Sequence, residues 1–110
     1  MTDDANVAIP ESSLTGISVV MPIRNEERYL RASVSAILNQ DVGQRPLEVV
    51  LAIGPSTDRT LEIAREMSEA DSRVRWVLNP SGKTPTALNI AIAHAQYDMI
   101  VRVDGHAELP

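Results

Sequence analysis

The stretch ISVVMPIRNE, residues 17–26, decides the fold of this chain. Its first seven residues form a nearly continuous apolar run rich in β-branched side chains, which is typical of a strand buried on both faces. The residues after this run are polar. Asn25 is a good N-cap and Glu26 suits the first turn of a helix, so they indicate the start of a helix. Apolar residues recur at helical spacing up to about residue 40. We therefore predict a strand, a short polar corner and a helix.

The same alternation continues along the rest of the sequence. Three more apolar runs predict strands: LEVVLAI (47–53), VRWVL (74–78) and MIVRV (99–103). Helical periods separate them; Thr57 or Asp58 can cap the second helix, and Thr84 before a proline marks the start of the third. This alternation predicts an α/β fold, a parallel sheet with helices on both faces. We expect the strand order 3-2-1-4, as in the mononucleotide-binding half of a doubly wound fold.

Length and composition restrict the class of protein. The 110 residues form one domain at most, and 44% apolar with 23% charged residues is typical of a globular chain. Residues 1–15 are acidic and polar without a period, so we expect a disordered leader followed by a domain over 16–110. The net charge of −5 argues against a nucleic-acid partner. The lack of cysteine excludes thiol catalysis and thiolate metal sites, and it suits the reducing cytoplasm.

Polar segments follow the predicted strands, which is where an open parallel sheet binds its ligands. With the order 3-2-1-4, Arg24-Asn25-Glu26 and Asp104-Gly105-His106 face each other across one crevice. A carboxylate and an imidazole two residues apart suit Mn²⁺ better than Mg²⁺, which prefers oxygen ligands. Such an ion would neutralise a diphosphate leaving group. The alternative is a plain turn in which Asp104 caps local amides and His106 is solvated.

Lys83 is the only lysine, and it precedes a predicted helix N-terminus, where anions are favoured. It is either a phosphate or sugar contact or an exposed surface lysine. A P-loop is excluded because Val77 stands where the first glycine of that motif is required.

Several other residues have structural interpretations. We expect Trp76 to pack in the core, His94 to lie on the surface and Arg102 to be able to pair with Asp104. The apolar face of the third helix is predicted to carry Leu88, Ala91, Ile92 and Ala95.

Four motifs in a fixed order carry a family resemblance: VVMPIRNEERYL, EVVLAIGPSTDRT, ALNIAIAHA and IVRVDGH. Over residues 16–110 they resemble the nucleotide-sugar-binding half of family 2 glycosyltransferases, which have the Rossmann-like GT-A fold. Bacterial succinoglycan- and exopolysaccharide-type enzymes with an R-V-D-x-H ending are similar. The resemblance implies metal-assisted, inverting transfer of a sugar from a nucleotide-diphosphate donor to an acceptor such as a growing polysaccharide.

The resemblance also implies roles for particular residues. Pro22, Asn25 and Glu26 match the segment that holds the nucleotide, and we add Arg24 beside them. Asp104 and His106 match the Asp-x-Asp motif for ribose and metal, which implies Mn²⁺ or Mg²⁺ as cofactor. Asn89 corresponds to an asparagine near the third helix, and Lys83 lies where several members place a basic diphosphate contact.

This sequence departs from the family in two places. Ile53 and Gly54 stand where members carry the aspartates that read the base, so uridine is only a default expectation. The general base lies in the second half of the family's domain, beyond Pro110, and Glu108 is the only nearby carboxylate after the metal motif. We therefore expect the donor half of a transferase, which binds nucleotide and metal weakly without turnover alone. The alternative is a truncated, non-catalytic nucleotide- and metal-binding module.

Two further expectations concern partners. A dinucleotide oxidoreductase is excluded because M-P-I-R-N-E follows the first strand in place of G-x-G-x-x-G. The last strand would leave a sticky sheet edge, so we predict self-association, and we expect membrane contact only through segments outside this sequence.

Overall fold

The computed structural model describes residues 15–104, so the predicted leader lies, apart from Thr15, outside the described residues. Strands and helices alternate along this range as expected. They are β1 (Ile17–Ile23), α1 (Leu30–Leu38), β2 (Leu47–Ile53), α2 (Thr60–Ala70), β3 (Val74–Leu78), α3 (Thr84–His94) and β4 (Met99–Arg102). Over the same range, none of the helices combines the length and the apolarity that crossing a membrane requires.

The strands form one parallel sheet in the order β3-β2-β1-β4, which confirms the predicted order and the α/β fold. β1 and β2 pair along their whole length, from Ile17 opposite Leu47 to Ile23 opposite Ile53. The ladder between β1 and β4 is shorter and ends where Val20 pairs with Arg102. Val103 continues beside β1, because its amide donates to the carbonyl of Val20, and Asp104 then reaches the cavity at the polar corner after β1.

The sheet separates two clusters of buried apolar side chains. The larger cluster is covered by α1 and α2 and includes the fully buried Met21, Val34 and Leu51. The smaller one lies under α3, where the helix contributes Ala87 and Ala91. Successive strand residues point to opposite faces, and both faces of the central strands are covered. This is why β1 and β2 are apolar without strict alternation.

The start of α1 differs from the prediction. The helix begins at Leu30 with Tyr29 as its N-cap, so Asn25 is not the N-cap and Glu26 is not in the first turn. Asn25 has a φ of 51°, in the left-handed region that asparagine tolerates better than most residues. Its side chain accepts a hydrogen bond from the amide of Thr57, in the loop after β2, instead of from a helix amide.

The apolar face of α3 also differs in part from the prediction. Ala91 is buried and Leu88 packs against the same cluster, as predicted. Ile92 is 47% exposed, and Ala95 follows the helix as its C-cap, so these two assignments were wrong. The reason is that α3 packs through Ala87 and Ala91, which turns Ile92 away from the sheet.

Two single-residue expectations are confirmed. Trp76 packs against the larger cluster, with the guanidinium of Arg65 5.5 Å from its ring centroid. His94 is exposed at the end of α3, and its Nδ1 lies 2.9 Å from the carbonyl oxygen of Ile90.

Candidate functional site

A cleft of about 310 Å³ opens at the carboxyl ends of β1 and β4, where the strand order reverses. Its walls come from four parts of the chain: Pro22, Ile23, Arg24, Glu26, Asn79, Gly82, Thr84, Ala87, Arg102 and Asp104. Arg24 and Glu26 from the corner after β1 thus share one cavity with Asp104 from the end of β4. The predicted crevice is present, although its Gly105 and His106 lie outside the described residues.

The corner after β1 is fixed by the loop that follows β2. The Asn25 amide donates to the hydroxyl of Ser56 at 3.0 Å, and the Asn25 side-chain oxygen accepts from the Thr57 amide at 2.8 Å. The amide of the buried Glu26 donates to the hydroxyl of Thr60 at 2.9 Å. These contacts join segments 31 to 34 residues apart, so the β1 wall of the cleft is held in place before any ligand arrives.

Asp58 completes this junction. Its carboxylate accepts hydrogen bonds from the amide of Thr60 at 3.0 Å and from the amide of Glu27 at 3.2 Å. It therefore satisfies an amide at the start of α2, as expected of a capping side chain, although Arg59 occupies the N-cap position. Burial raises the pKa of Asp58, but the hydrogen bonds from Thr60 and Glu27 together outweigh burial and keep the pKa below its ordinary value of 3.8.

The opposite wall is the loop between β3 and α3, which the buried Asn79 organises. The Asn79 side-chain amide donates to the carbonyl of Lys83 at 3.1 Å, and its oxygen accepts from the hydroxyl of Ser81 at 2.9 Å. Gly82 has a φ of 70°, which favours glycine, and an added Cβ would be tight against the Pro55 ring at 3.2 Å. Lys83 becomes the N-cap residue of α3, and it is exposed.

Asp104 lies just past the end of β4 and pairs with Arg102, as expected. The Arg102 Nε donates to Oδ1 of Asp104 at 3.0 Å, and its terminal nitrogen lies 3.0 Å from the same oxygen. Both side chains are about half exposed, so the pair adds little to stability. Within residues 15–104, no three histidine, cysteine, aspartate or glutamate side chains come together as a metal site.

The structure brings most of the predicted nucleotide-binding residues to the cleft. Those that line it are Pro22, Arg24, Glu26 and Asp104. Asn25 supports the corner behind them, whereas Lys83 and Asn89 are exposed and do not belong to the lining. Their contact with a ligand stays a prediction.

The predicted site missed three lining residues with polar or charged side chains, which are Asn79, Thr84 and Arg102. Asn79 directly follows β3, and the rule that ligands bind at the carboxyl ends of strands could have found it. Arg102 was interpreted only as a partner of Asp104, because the sequence does not show on which face of the strand a binding cleft opens.

The charges of the cleft suit a ligand that carries both anionic groups and a cation. Arg24 and Arg102 supply positive charge, and Thr84 places the N-terminus of α3 at the same cavity, where backbone amides favour anions. Glu26 and Asp104 supply carboxylates, which accept hydrogen bonds from hydroxyls and bind divalent cations.

Comparison with known sequences identifies a family and several relatives of this chain. Residues 18–110 match the family model described as "Glycosyl transferase family 2". The chain is 34% identical over 102 residues to the succinoglycan biosynthesis protein ExoA of Rhizobium meliloti, covering 91% of this chain and 31% of that protein. It is 35% identical over 89 residues to an uncharacterized glycosyltransferase of Haemophilus influenzae, covering 80% and 35%. The chain therefore spans about a third of the length of these relatives.

Solved structures share the fold. A mannosyltransferase from Pyrobaculum calidifontis, in complex with GDP-Man and Mn²⁺, superposes with a TM-score of 0.73 at 29% identity, over 96% of this chain and 31% of that one. Glucosyl-3-phosphoglycerate synthase from Mycobacterium tuberculosis, in complex with Mn²⁺, UDP and phosphoglyceric acid, gives 0.65 at 26% identity, over 86% and 34%. The fold is thus that of GT-A glycosyltransferases.

Proposed function

The chain belongs to glycosyl transferase family 2, and from that premise we propose that its cleft binds the nucleoside diphosphate of a sugar donor. The observation that carries the proposal is the meeting of Arg24, Glu26, Arg102 and Asp104 in one cavity at the switch point of the sheet. Ligands of open parallel sheets bind at this position. Similar folds hold GDP-Man with Mn²⁺ and UDP with Mn²⁺, which supports a nucleotide sugar as the ligand class.

Two features of the cleft favour the diphosphate. Arg24 and Arg102 place guanidinium groups at its rim, and guanidinium donates to phosphate oxygens in a fixed fork. The N-terminus of α3 lies at the same cavity and adds backbone amides and a favourable dipole. When a diphosphate binds, we expect Arg102 to contact it while leaving Asp104 able to face a cation.

Asp104 and His106 are the residues that would hold a divalent cation. The donor set fits the ion: the described residues engage only Oδ1 of Asp104, and a carboxylate oxygen with an imidazole nitrogen suits Mn²⁺. Bound there, the cation would neutralise the charge that develops on the leaving diphosphate. The chain's own contribution is to orient the donor through its two arginines and the amides at the start of α3.

The proposal also covers the transfer step and the acceptor of the sugar. We infer sugar transfer with inversion at the anomeric carbon, which requires a general base to take the proton of the acceptor hydroxyl. That base is expected beyond Pro110. The acceptor class we favour is a growing polysaccharide, since one relative is a succinoglycan biosynthesis protein.

A binding module without turnover is the second candidate. The observation that favours it is that the two carboxylates lining the cleft within residues 15–104, Glu26 and Asp104, are both taken up by the proposed nucleotide and cation contacts. A donor-hydrolysis assay separates the two candidates: slow release of free sugar from UDP- or GDP-sugars supports an active donor half, and nucleotide binding without release supports the module.

Calorimetric titration of the 110-residue chain with UDP and with GDP, in the presence and absence of Mn²⁺, tests the proposal. We expect binding of at least one nucleotide, strengthened by Mn²⁺, and about tenfold weaker binding by Asp104→Asn. Asp98→Asn is the matched control, because Asp98 is exposed and does not line the cleft. Binding of neither nucleotide, or equal losses in both variants, would contradict the proposal.

A further inference from the structure

β4 leads to two cleft residues, Arg102 at its end and Asp104 beyond it, but its own side chains pack little. All four of its residues are exposed, and none belongs to either buried cluster. Its backbone pairs with β1 alone, over a ladder of four residues. Val103, which follows the strand, packs against the larger cluster. The burial of β4's own side chains contributes little, so polar contacts where the strand begins matter for its position.

A buried carboxylate lies at the other end of the sheet, beside the segment that leads into β4. Glu48, near the start of β2, has a side chain only 4% exposed. Its Oε2 accepts hydrogen bonds from the hydroxyl of Ser18 and from the backbone amide of Gln96, both at 2.6 Å. Its Oε1 accepts from a terminal nitrogen of Arg75 at 2.9 Å. One carboxylate thus joins β1, β2 and β3 to the connection between α3 and β4.

The same group holds the next residue of that connection indirectly. The Tyr97 amide donates to the hydroxyl of Ser18 at 3.2 Å, while Ser18 donates to Glu48. The Tyr97 ring lies directly against Gly16, because an added Cβ there would overlap the ring. Two consecutive residues before β4 are therefore anchored to the amino end of the sheet.

The charge of Glu48 is needed for this arrangement. Burial raises the pKa of Glu48, but the hydrogen bonds from Gln96, Ser18 and Arg75 together outweigh burial and lower it below the ordinary value. All of these groups are donors, and a carboxylate accepts from each, whereas an amide in its place would present an NH₂ group to some of them. Arg75 also donates to the carbonyl of His94, at the end of α3, at 2.8 Å.

From this geometry we propose that Glu48 is a positioning residue, whose carboxylate docks the start of β4 on the sheet and thereby sets Arg102 and Asp104 in the cleft. The inference rests on the proposed function for what the cleft binds. A strand is a stiff element, so a shift where it begins is passed along to its end. The side chains of β4 itself add little packing to correct such a shift, so the anchor at its start acts on the site together with the packing of Val103 beyond the strand.

The test compares hydrogen exchange of backbone amides in Glu48→Gln and in the wild-type chain, without ligand. We expect amides of residues 99–103 to exchange about tenfold faster in the variant, with a clearly smaller acceleration in β2. Affinity for UDP with Mn²⁺ should fall by about the same factor, since the docked strand is the binding-competent state. Glu69→Gln removes an equal charge from the exposed face of α2 and should change neither quantity.

Ser18→Ala keeps the test decisive if Glu48→Gln does not fold. It removes the hydroxyl between Glu48 and the Tyr97 amide but leaves the buried carboxylate paired with Arg75. Faster exchange confined to β4 in this variant supports the inference. Unchanged exchange in β4 for a folded variant, or equal acceleration in β2 and β4, overturns it. A wild-type chain that binds no nucleotide would refute the proposed function, while the exchange comparison would still decide the role of Glu48.

Discussion

β2 and β4 flank the same strand, and they differ in almost every other respect. Both pair with β1 in parallel. Every residue of β2 is buried, including Glu48, whereas every residue of β4 is exposed. Within residues 15–104, β2 lies between two neighbouring strands, but β4 forms an edge of the sheet. The comparison shows that β2 stabilises the fold, whereas β4 positions residues of the binding cleft.

The difference shows how stability and function are divided in this chain. Buried strands open only with the whole domain, while weakly packed elements open locally at a lower free energy. Arg102 and Asp104 belong to the weakly packed side. The segments after β1 and β3 line the cleft with them, and the loop after β2 supports the corner after β1. Truncation of the apolar side chains of β2 should therefore lower the free energy of unfolding of the whole domain, and changes in β4 should affect binding first.

The largest expected effect is on the free energy of unfolding. Leu51→Ala in β2 removes a fully buried side chain, and we expect a loss of about 2–5 kcal/mol. That is a large part of the stability of a small domain, so the variant should be partly unfolded at 37 °C. Val101→Ala in β4, where the side chain is 41% exposed, should cost only about 0.5 kcal/mol.

Urea unfolding followed by the fluorescence of Trp76 measures both variants on one scale. Equal losses for the two variants would show that β4 contributes to the core as β2 does, and the division described above would be wrong.

In the second prediction the change is in β4, and it affects ligand binding more than stability. Arg102→Gln should weaken binding of UDP by about tenfold, because the variant removes a guanidinium from the cleft. Its free energy of unfolding should change by no more than about 0.5 kcal/mol, since the pair with Asp104 is exposed. Arg73→Gln, an arginine paired with Asp71 outside the cleft, is the control. An undiminished UDP affinity in Arg102→Gln would remove this residue from the site.

A third prediction concerns pH. The pKa of Glu48 is lowered in the folded state, so its contribution to stability is present above the ordinary value of 4.5 and disappears as the pH falls through the folded pKa. The difference in unfolding free energy between the wild-type chain and Glu48→Gln should therefore be greater at pH 7 than at pH 3. Comparing the two proteins cancels the titration of the other carboxylates. A difference that stays constant between these pH values would contradict a charged Glu48.

The smallest expected effect is on association. The exposed apolar side chains of the β4 edge, Met99, Ile100 and Val101, favour self-association. Sedimentation at rising concentration should show reversible dimers that Val101→Lys weakens. Ile92→Lys is the control, since Ile92 is equally apolar and exposed but lies on α3. A chain that stays monomeric at high concentration would refute the prediction.

The sequence predicted the strands of the sheet better than it predicted the site. The bounds of β1 and β2 follow from long apolar runs, because burial on both faces leaves a strong signal. The shorter run of β3 was also sufficient, and the strand order followed from the usual arrangement of alternating strands and helices. The roles of Asn25 and Asn79 depend on partners brought close by the fold, which local patterns do not encode. The anchor at Glu48 was invisible for the same reason, since Gln96 lies 48 residues away.

The central claim is that the cleft between β1 and β4 holds a diphosphate together with a divalent cation. Paramagnetic broadening of backbone amide resonances by Mn²⁺, recorded with and without UDP, tests it most directly. With UDP, the amides of Arg24, Arg102 and Asp104 should broaden first and that of Glu48, at the far end of the sheet, should broaden last. Broadening centred on the exposed acids of α2, or a pattern that UDP does not change, would contradict the claim.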